Sequence, residues 1–183
     1  MRKMMPIGPL MIEHRLIEKM IAVMRKEITV METEKRVRPA FILIIADFIR
    51  FYADRCHHGK EEDILFRELG KKKISQEHRR IMNELIEEHK WGRKTTSSLV
   101  EAKGHYEKGN RESIIKIIDL LNSLVEFYPR HIEKEDKRFF RPVMDYFTQE
   151  ERDTMLQEEF EFDQKLIHEK YKSIVAEAEN QFG

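Results

Sequence analysis

Residues 57–66 read HHGKEEDILF, two adjacent histidines followed by two adjacent acids and an apolar run. In an α-helix, residues four apart differ by only about 40° in direction, so His57 and Glu61 share a face. A carboxylate on an inward face costs several kcal/mol or more unless a cation meets it. The stretch is therefore either a solvated helix face or part of a cation site. The rest of the chain decides between them.

A second copy of the pattern lies downstream. HHGKEEDILFREL resembles HIEKEDKRFFRPV, which places His131 and Glu135 in the same H-x-x-x-E relation and sets Phe139 opposite Leu65. Each copy is preceded by a lone histidine, His14 lying 43 residues before His57 and His89 lying 42 before His131. Two similar helical hairpins related by a pseudo-twofold would each supply H…HxxxE.

Helix signals place these histidines on four long segments: residues 10 to about 33, 38–69, 75–107 and 111–141. Pro39 opens the second, Ser75 caps the third, Gly70 and Gly109–Asn110 close two of them, and the fourth stops before Pro142. A fifth, strongly charged segment covers about 149–179 and ends in a polar tail. Short loops between long helices imply antiparallel neighbours. The expected fold is all-α, an up-down-up-down four-helix bundle with an additional C-terminal helix packed outside it. The whole of 1–183 reads as one domain, with the bundle over about 8–145.

Depth along the bundle follows from distance to the turns. His14 and His57 are symmetric about residues 35–36, His57 and His89 about residue 73, and His89 and His131 about residue 110. All three comparisons put the four imidazoles in one layer, and a two-residue error in a turn shifts this by only about 3 Å. On the fourth helix, Ile117, Leu120, Leu124, Phe127 and Tyr128 share the face of His131 and Glu135, which is the core face. Four imidazoles and two carboxylates in one layer suit two first-row transition ions with the carboxylates bridging. The donor set fits iron best, and manganese or zinc next.

Composition excludes other classes. The net charge is zero, with 34 basic and 34 acidic residues interspersed, so nucleic acid has no electrostatic footprint. One cysteine, Cys56, excludes a disulfide framework and favours a cytoplasmic setting. The run FILIIADFI is too short to span a bilayer and reads as a buried turn or two of helix. MRKMMPIGPLMIEH reaches Glu13 before an apolar signal region forms.

The stretches MIEHRLIE, HHGKEEDILF, EEHKWGR and HIEKEDKRFF together resemble the hemerythrin-like (HHE cation-binding) family over roughly residues 8–145. The resemblance implies a four-helix bundle with two iron ions, oxo- or hydroxo-bridged. His14, His57, His89 and His131 would be terminal ligands, and Glu61 and Glu135 bridges. It implies a small diatomic or peroxide ligand for sensing, detoxification or iron-centre repair, with a non-catalytic iron-responsive interaction module as the alternative. Oxygen-carrying members place a second histidine one turn from the third-helix ligand, where this chain has Leu85 and Arg93. One fewer imidazole would leave more open coordination. Iron–sulfur repair members add a short cysteine-containing N-terminal segment, which is not seen ahead of the first helix here.

Other residues have rival readings. His58 and Glu62 form a second i, i+4 pair rotated about 100° from the first, able to replace or join it. Glu18 reads as a surface ion pair rather than a ligand, and Asp136 competes with Glu135. His78, His105 and His168 read as two surface residues and one structural residue. Cys56 reads as a small buried hydrophobe, and Tyr128 as a packed aromatic before a donor to a bound ligand. Leu85, Leu124, Phe127 and Ile64 would wall the layer from water. EEFEFDQKLIHEKY would cover one side of the bundle, or else pair two copies as a homodimer.

Overall fold

The computed structural model describes residues 4–182, and the side chains of residues 4–176. The early charges of Arg2 and Lys3 and the side chains of the polar tail lie outside the described residues. Five long helices account for nearly all of the described chain, and no strand occurs among the described residues. Helix α1 is Ile7–Glu34, α2 covers residues 39–70, α3 is Gln76–Glu107, α4 covers residues 113–143, and α5 is Gln149–Phe182. A short 3-10 turn, Met144–Tyr146, joins the last two.

Local chemistry explains the boundaries. Helix α1 buries Leu10, His14, Ile17, Ile21, Met24, Ile28 and Met31, a stripe at three- and four-residue spacing. It ends where Lys35 turns left-handed at φ 53°. Pro39 takes the first helical position of α2, where a missing N–H costs nothing. The Ser75 hydroxyl accepts the His78 N–H at 3.1 Å and caps α3. Gly109, at φ 96°, supplies the left-handed turn after α3. Pro142 does not terminate α4 but sits in its last turn. Pro129 lies inside α4, and the Val125 carbonyl it frees accepts Arg25 of α1 at 3.2 Å.

Apolar packing falls into two clusters. One joins Ile17–Met31 positions of α1 and Ile42–Ala53 positions of α2 to Leu99, Ala102 and Tyr106 of α3 and Ile117–Ile132 positions of α4. The other joins Ile7 and Leu10 of α1, Ile64–Leu69 positions of α2, Ile81–Leu85 positions of α3 and Phe139–Val143 positions of α4. The FILII run is buried on one face only, since Ile42 and Ile45 are in the core while Leu43 and Ile44 are exposed. Its hydrophobicity therefore overstates its burial. A polar layer lies between the two clusters.

Helix α5 packs against α2 through Met155, Phe162 and Leu166. A Cβ at Gly59 would sit 2.8 Å from the Phe162 ring, so only glycine lets α5 approach so closely. Among the described residues, no helix is long and apolar enough to cross a membrane.

Candidate metal centre

The backbone of α2 is not a regular α-helix where the site is built. Over Phe48–His58 and again over Glu61–Phe66 its turns widen to the i→i+5 pattern. Gly59, for example, donates to the Asp54 carbonyl five residues back. Such wide turns cluster at functional sites because they re-aim side chains. Here they bring His57 and His58 inward together, 1% and 2% exposed. In a regular helix the two would diverge by about 100°. Helix α4 widens in the same way over Glu135–Phe139. Two of these three widened stretches start at the glutamate of an H-x-x-x-E pair, Glu61 and Glu135.

Five imidazoles and two carboxylates meet in the buried layer. One group is His14, His57, Glu61 and Glu135, and the other is His58, Glu61, His89 and His131, with Glu61 common to both. Glu135 also spans them, its oxygens lying 3.1 Å from His14 Nε2, 3.1 Å from His131 Nε2 and 3.8 Å from His89 Nε2. Glu61 lies 3.4 Å from His57 Nε2 and 3.2 Å from His89 Nε2. His58 stacks on His89 with centroids 3.8 Å apart and planes 10° from parallel.

The decisive feature is alignment. All five Nε2 atoms and all four oxygens of Glu61 and Glu135 are buried without a hydrogen-bond partner. Imidazole nitrogens and glutamate oxygens lie 3.1–3.8 Å apart here without forming hydrogen bonds. Nitrogen and oxygen donors that converge on shared points instead of on each other are arranged for cations.

An outer ring of carboxylates fixes the rings. Nδ1 of His14 faces Asp136 at 2.8 Å, His57 faces Glu13 at 2.9 Å, His89 faces Glu62 at 2.7 Å and His131 faces Glu88 at 2.7 Å. His58 faces Asp54 at 3.4 Å. A carboxylate only accepts, so each Nδ1 carries the hydrogen, which leaves the Nε2 lone pair of a neutral ring facing the centre. Each carboxylate is held in turn by a cation: Arg15 on Asp136, Lys60 on Glu13, Arg93 on Glu62 and Asp54, and Lys134 on Glu88.

These contacts obey the expected twofold. The set Glu13, His57 and Lys60 repeats as Glu88, His131 and Lys134. His14 with Asp136 repeats as His89 with Glu62. Phe140 stacks on His14 at 5.6 Å as Phe66 stacks on His89 at 6.1 Å.

The sequence model of the hemerythrin HHE cation binding domain matches residues 5–143. The chain belongs to that family. No curated protein matches it, and no solved structure does. The match to the hemerythrin family ends with α4, so α5 lies beyond it.

The structure bears on three readings from sequence within this hemerythrin-like layer. Of the two roles open to His58, replacing the first pair or joining it, the geometry has it join, so a fifth imidazole comes from α2 where α3 has Leu85 and Arg93. Glu62 and Asp136 are not in the inner group but support His89 and His14. His78 is half-buried and bonds the Tyr146 hydroxyl at 2.8 Å, so it is not a plain surface residue. Glu18 pairs with Arg15 at 3.2 Å on the surface. His105 and His168 are exposed. Leu85, Leu124 and Ile64 are buried, and Phe127 stacks on His131 at 5.1 Å.

Electrostatics reinforce the geometry. Burial disfavours charge on His14, but Asp136 and Glu135 outweigh it and hold the ring up at about 10. His89 is likewise held up at about 11 against burial, by Glu135, Glu61 and Glu62. Burial opposes ionisation of Glu135, yet His131, His14 and His89 keep its carboxyl well below the usual range. Burial drives His58 well below its ordinary value, helped by its histidine neighbours.

Helix α5 adds charges that the family match does not cover. Lys60, fully buried, bridges Glu13 and Asp163, lying 2.9 Å from the latter. Cys56 Sγ donates to Asp163 at 3.3 Å, and burial pushes its thiol up to about 12, which leaves it protonated and unreactive. Glu159 is 1% exposed with neither oxygen hydrogen-bonded. Burial pushes its carboxyl up to about 9.

Proposed function

We propose that this chain is a non-haem di-iron protein that binds a small ligand such as oxygen, nitric oxide or peroxide. One observation carries the reading: nine buried donor atoms, five Nε2 and four carboxylate oxygens, have no partner among the protein atoms and form two groups sharing Glu61. His14 and His57 would hold one ion and His58, His89 and His131 the other, with Glu61 and Glu135 between them. Two imidazoles against three makes the ions unequal, so the two-imidazole ion keeps more coordination free. When bound, a pair of ferrous ions supplies the electrons and the open position that oxygen-type ligands need. Residues of the chain set the conditions: the outer carboxylates fix each ring, and Phe66, Phe140, Leu85 and Leu124 keep water out. The two apolar clusters support an up-down-up-down order of α1–α4, because each takes the start of one helix with the end of the next. Residues 1–183 form one domain in this reading.

A second reading, an iron-responsive interaction module, is favoured by the seat of α5. Its contact Lys60 lies between His57 and Glu61 in sequence and holds Glu13, which braces His57. Reconstitution with ferrous iron tests the first reading. Two irons per chain and a visible absorption band after exposure to air are expected, and less than one iron per chain would overturn it. A large metal-dependent rise in melting temperature without ligand binding or turnover would favour the second.

A further inference from the structure

A separate gathering of donors lies beneath α5. Glu13 of α1, Cys56 of α2 and Asp163 of α5 each place a donor atom within 4.8 Å of the others. Glu159 stands four residues before Asp163, on the same face of α5. It is 1% exposed, and neither of its oxygens has a hydrogen-bond partner. The charges that act on it most are those of Lys60, Glu13 and Asp163, so it faces this cluster. A buried carboxyl without a partner calls for an explanation that the bonds inside the cluster do not give. The second hairpin has Arg130 where the first has Cys56, so the cluster belongs to the α5 side alone.

We propose that Cys56, Asp163, Glu159 and Glu13 form a third cation site, for one zinc-type divalent ion that ties α5 to α1 and α2. Donor chemistry comes first. One thiolate among carboxylate oxygens is a mixed set that suits a four-coordinate zinc ion, and cobalt(II) as its probe. Spacing comes second. Zinc bonds sulfur at about 2.3 Å and carboxylate oxygen at about 2.0 Å, so a tetrahedral ion holds the two about 3.5 Å apart. Cys56 Sγ and Asp163 Oδ1 already lie 3.3 Å apart, joined by the thiol hydrogen. The ion takes the place of that hydrogen. Lys60 keeps its hold on the other oxygen, Asp163 Oδ2 at 2.9 Å, and Glu13 Oε2 stays on His57. Glu13 retains lone pairs beyond those two bonds.

Charge comes third. Cys56 and Glu159 both carry protons in the metal-free protein. A dication that displaces these two protons to solvent leaves the buried net charge unchanged. Access comes last. Asp163 is 34% exposed, which gives an ion a first foothold at the surface.

Cobalt(II) titration of the metal-free full-length chain is the test. Cys56 is the chain's single cysteine, so a sulfur-to-cobalt charge-transfer band reports this site and no other. The band should saturate at one cobalt per chain and be absent in Cys56→Ser. It should persist in Glu61→Ala, which breaks both imidazole groups. Asp163→Asn and Glu159→Gln should each weaken cobalt at the band by about tenfold or more, the least that losing even an outer partner of a metal ligand costs. Zinc should raise the melting temperature of Glu61→Ala but not of Glu61→Ala with Cys56→Ser. Absence of the band in the parent, or full affinity at the band in Glu159→Gln, would overturn the proposal. Glu159→Gln removes a buried carboxyl without changing its shape, so lost affinity there does not come from misfolding. Iron stoichiometry is read on the imidazole layer and this band on Cys56, so the di-iron reading and the third site fail separately.

Discussion

Lys60 and Lys134 hold equivalent places in the two hairpins, each on the carboxylate that braces a histidine. Lys60 is sealed at 0% exposure beneath α5, whereas Lys134 is 19% exposed and shared with Glu84 at the surface. The hairpins agree in the contacts that orient His14, His57, His89 and His131. They differ in what covers those contacts, and at His58 and Asp54, where the second hairpin has Ile132 and Tyr128. The shared parts surround the buried donors, and the unshared parts set how each side is covered.

Deleting inner donors should separate the shared from the unshared parts most strongly. Glu61→Ala removes a carboxylate common to both groups and should lose both ions, whereas His58→Ala should keep the ion of the His14–His57 side. Metal-to-protein ratios by plasma mass spectrometry check this. Equal losses in the two variants would mean that the halves do not fill separately.

The two lysines should differ next. Lys60→Ala leaves Glu13 and Asp163 without their buried cation and should cost about 3–5 kcal/mol in denaturant unfolding. Lys134→Ala, at a partly wet site, should cost about 1 kcal/mol or less. Similar losses would show that α5 does not seal its side.

Glu159 should give a smaller effect than Lys60. Its folded-state value of about 9 lies above the ordinary 4.5, so the native state binds more protons than the unfolded chain between those values. Stability conferred by its protonated form is therefore lost as pH rises from about 4.5 to 9. Glu159→Gln, always neutral, should match the parent near pH 4 and gain on it as pH rises, by on the order of 2 kcal/mol at pH 7. Melting curves of the metal-free proteins across this range check it, and a constant difference would contradict it.

Much of this could be seen in the sequence, for identifiable reasons. Ser75, Pro39 and Gly109 carry strong boundary signals, and all three act as such. The layer was legible because depth in a hairpin depends only on counting from its turn, which widened backbone turns barely disturb. Direction around the helix is more fragile. The role of His58 stays open between replacing His57 and joining it, because a regular helix rotates the two apart and nothing in residue periodicity announces the i→i+5 turns. Lys60 was invisible for another reason. A lone lysine between a glycine and two glutamates reads as solvated, and its burial depends on α5, about a hundred residues away in sequence. Pattern alone also could not separate inner from outer carboxylates. Glu61 and Glu62 are neighbours of one chemical type, distinguished only by the ring that each meets.

The braces on the imidazoles have a consequence for assembly. Asp136 of α4 holds His14 of α1, Glu13 of α1 holds His57 of α2, Glu62 of α2 holds His89 of α3 and Glu88 of α3 holds His131 of α4. Each helix thus steadies a ring on its neighbour in a closed circuit, and the fold itself aims the inner nitrogens.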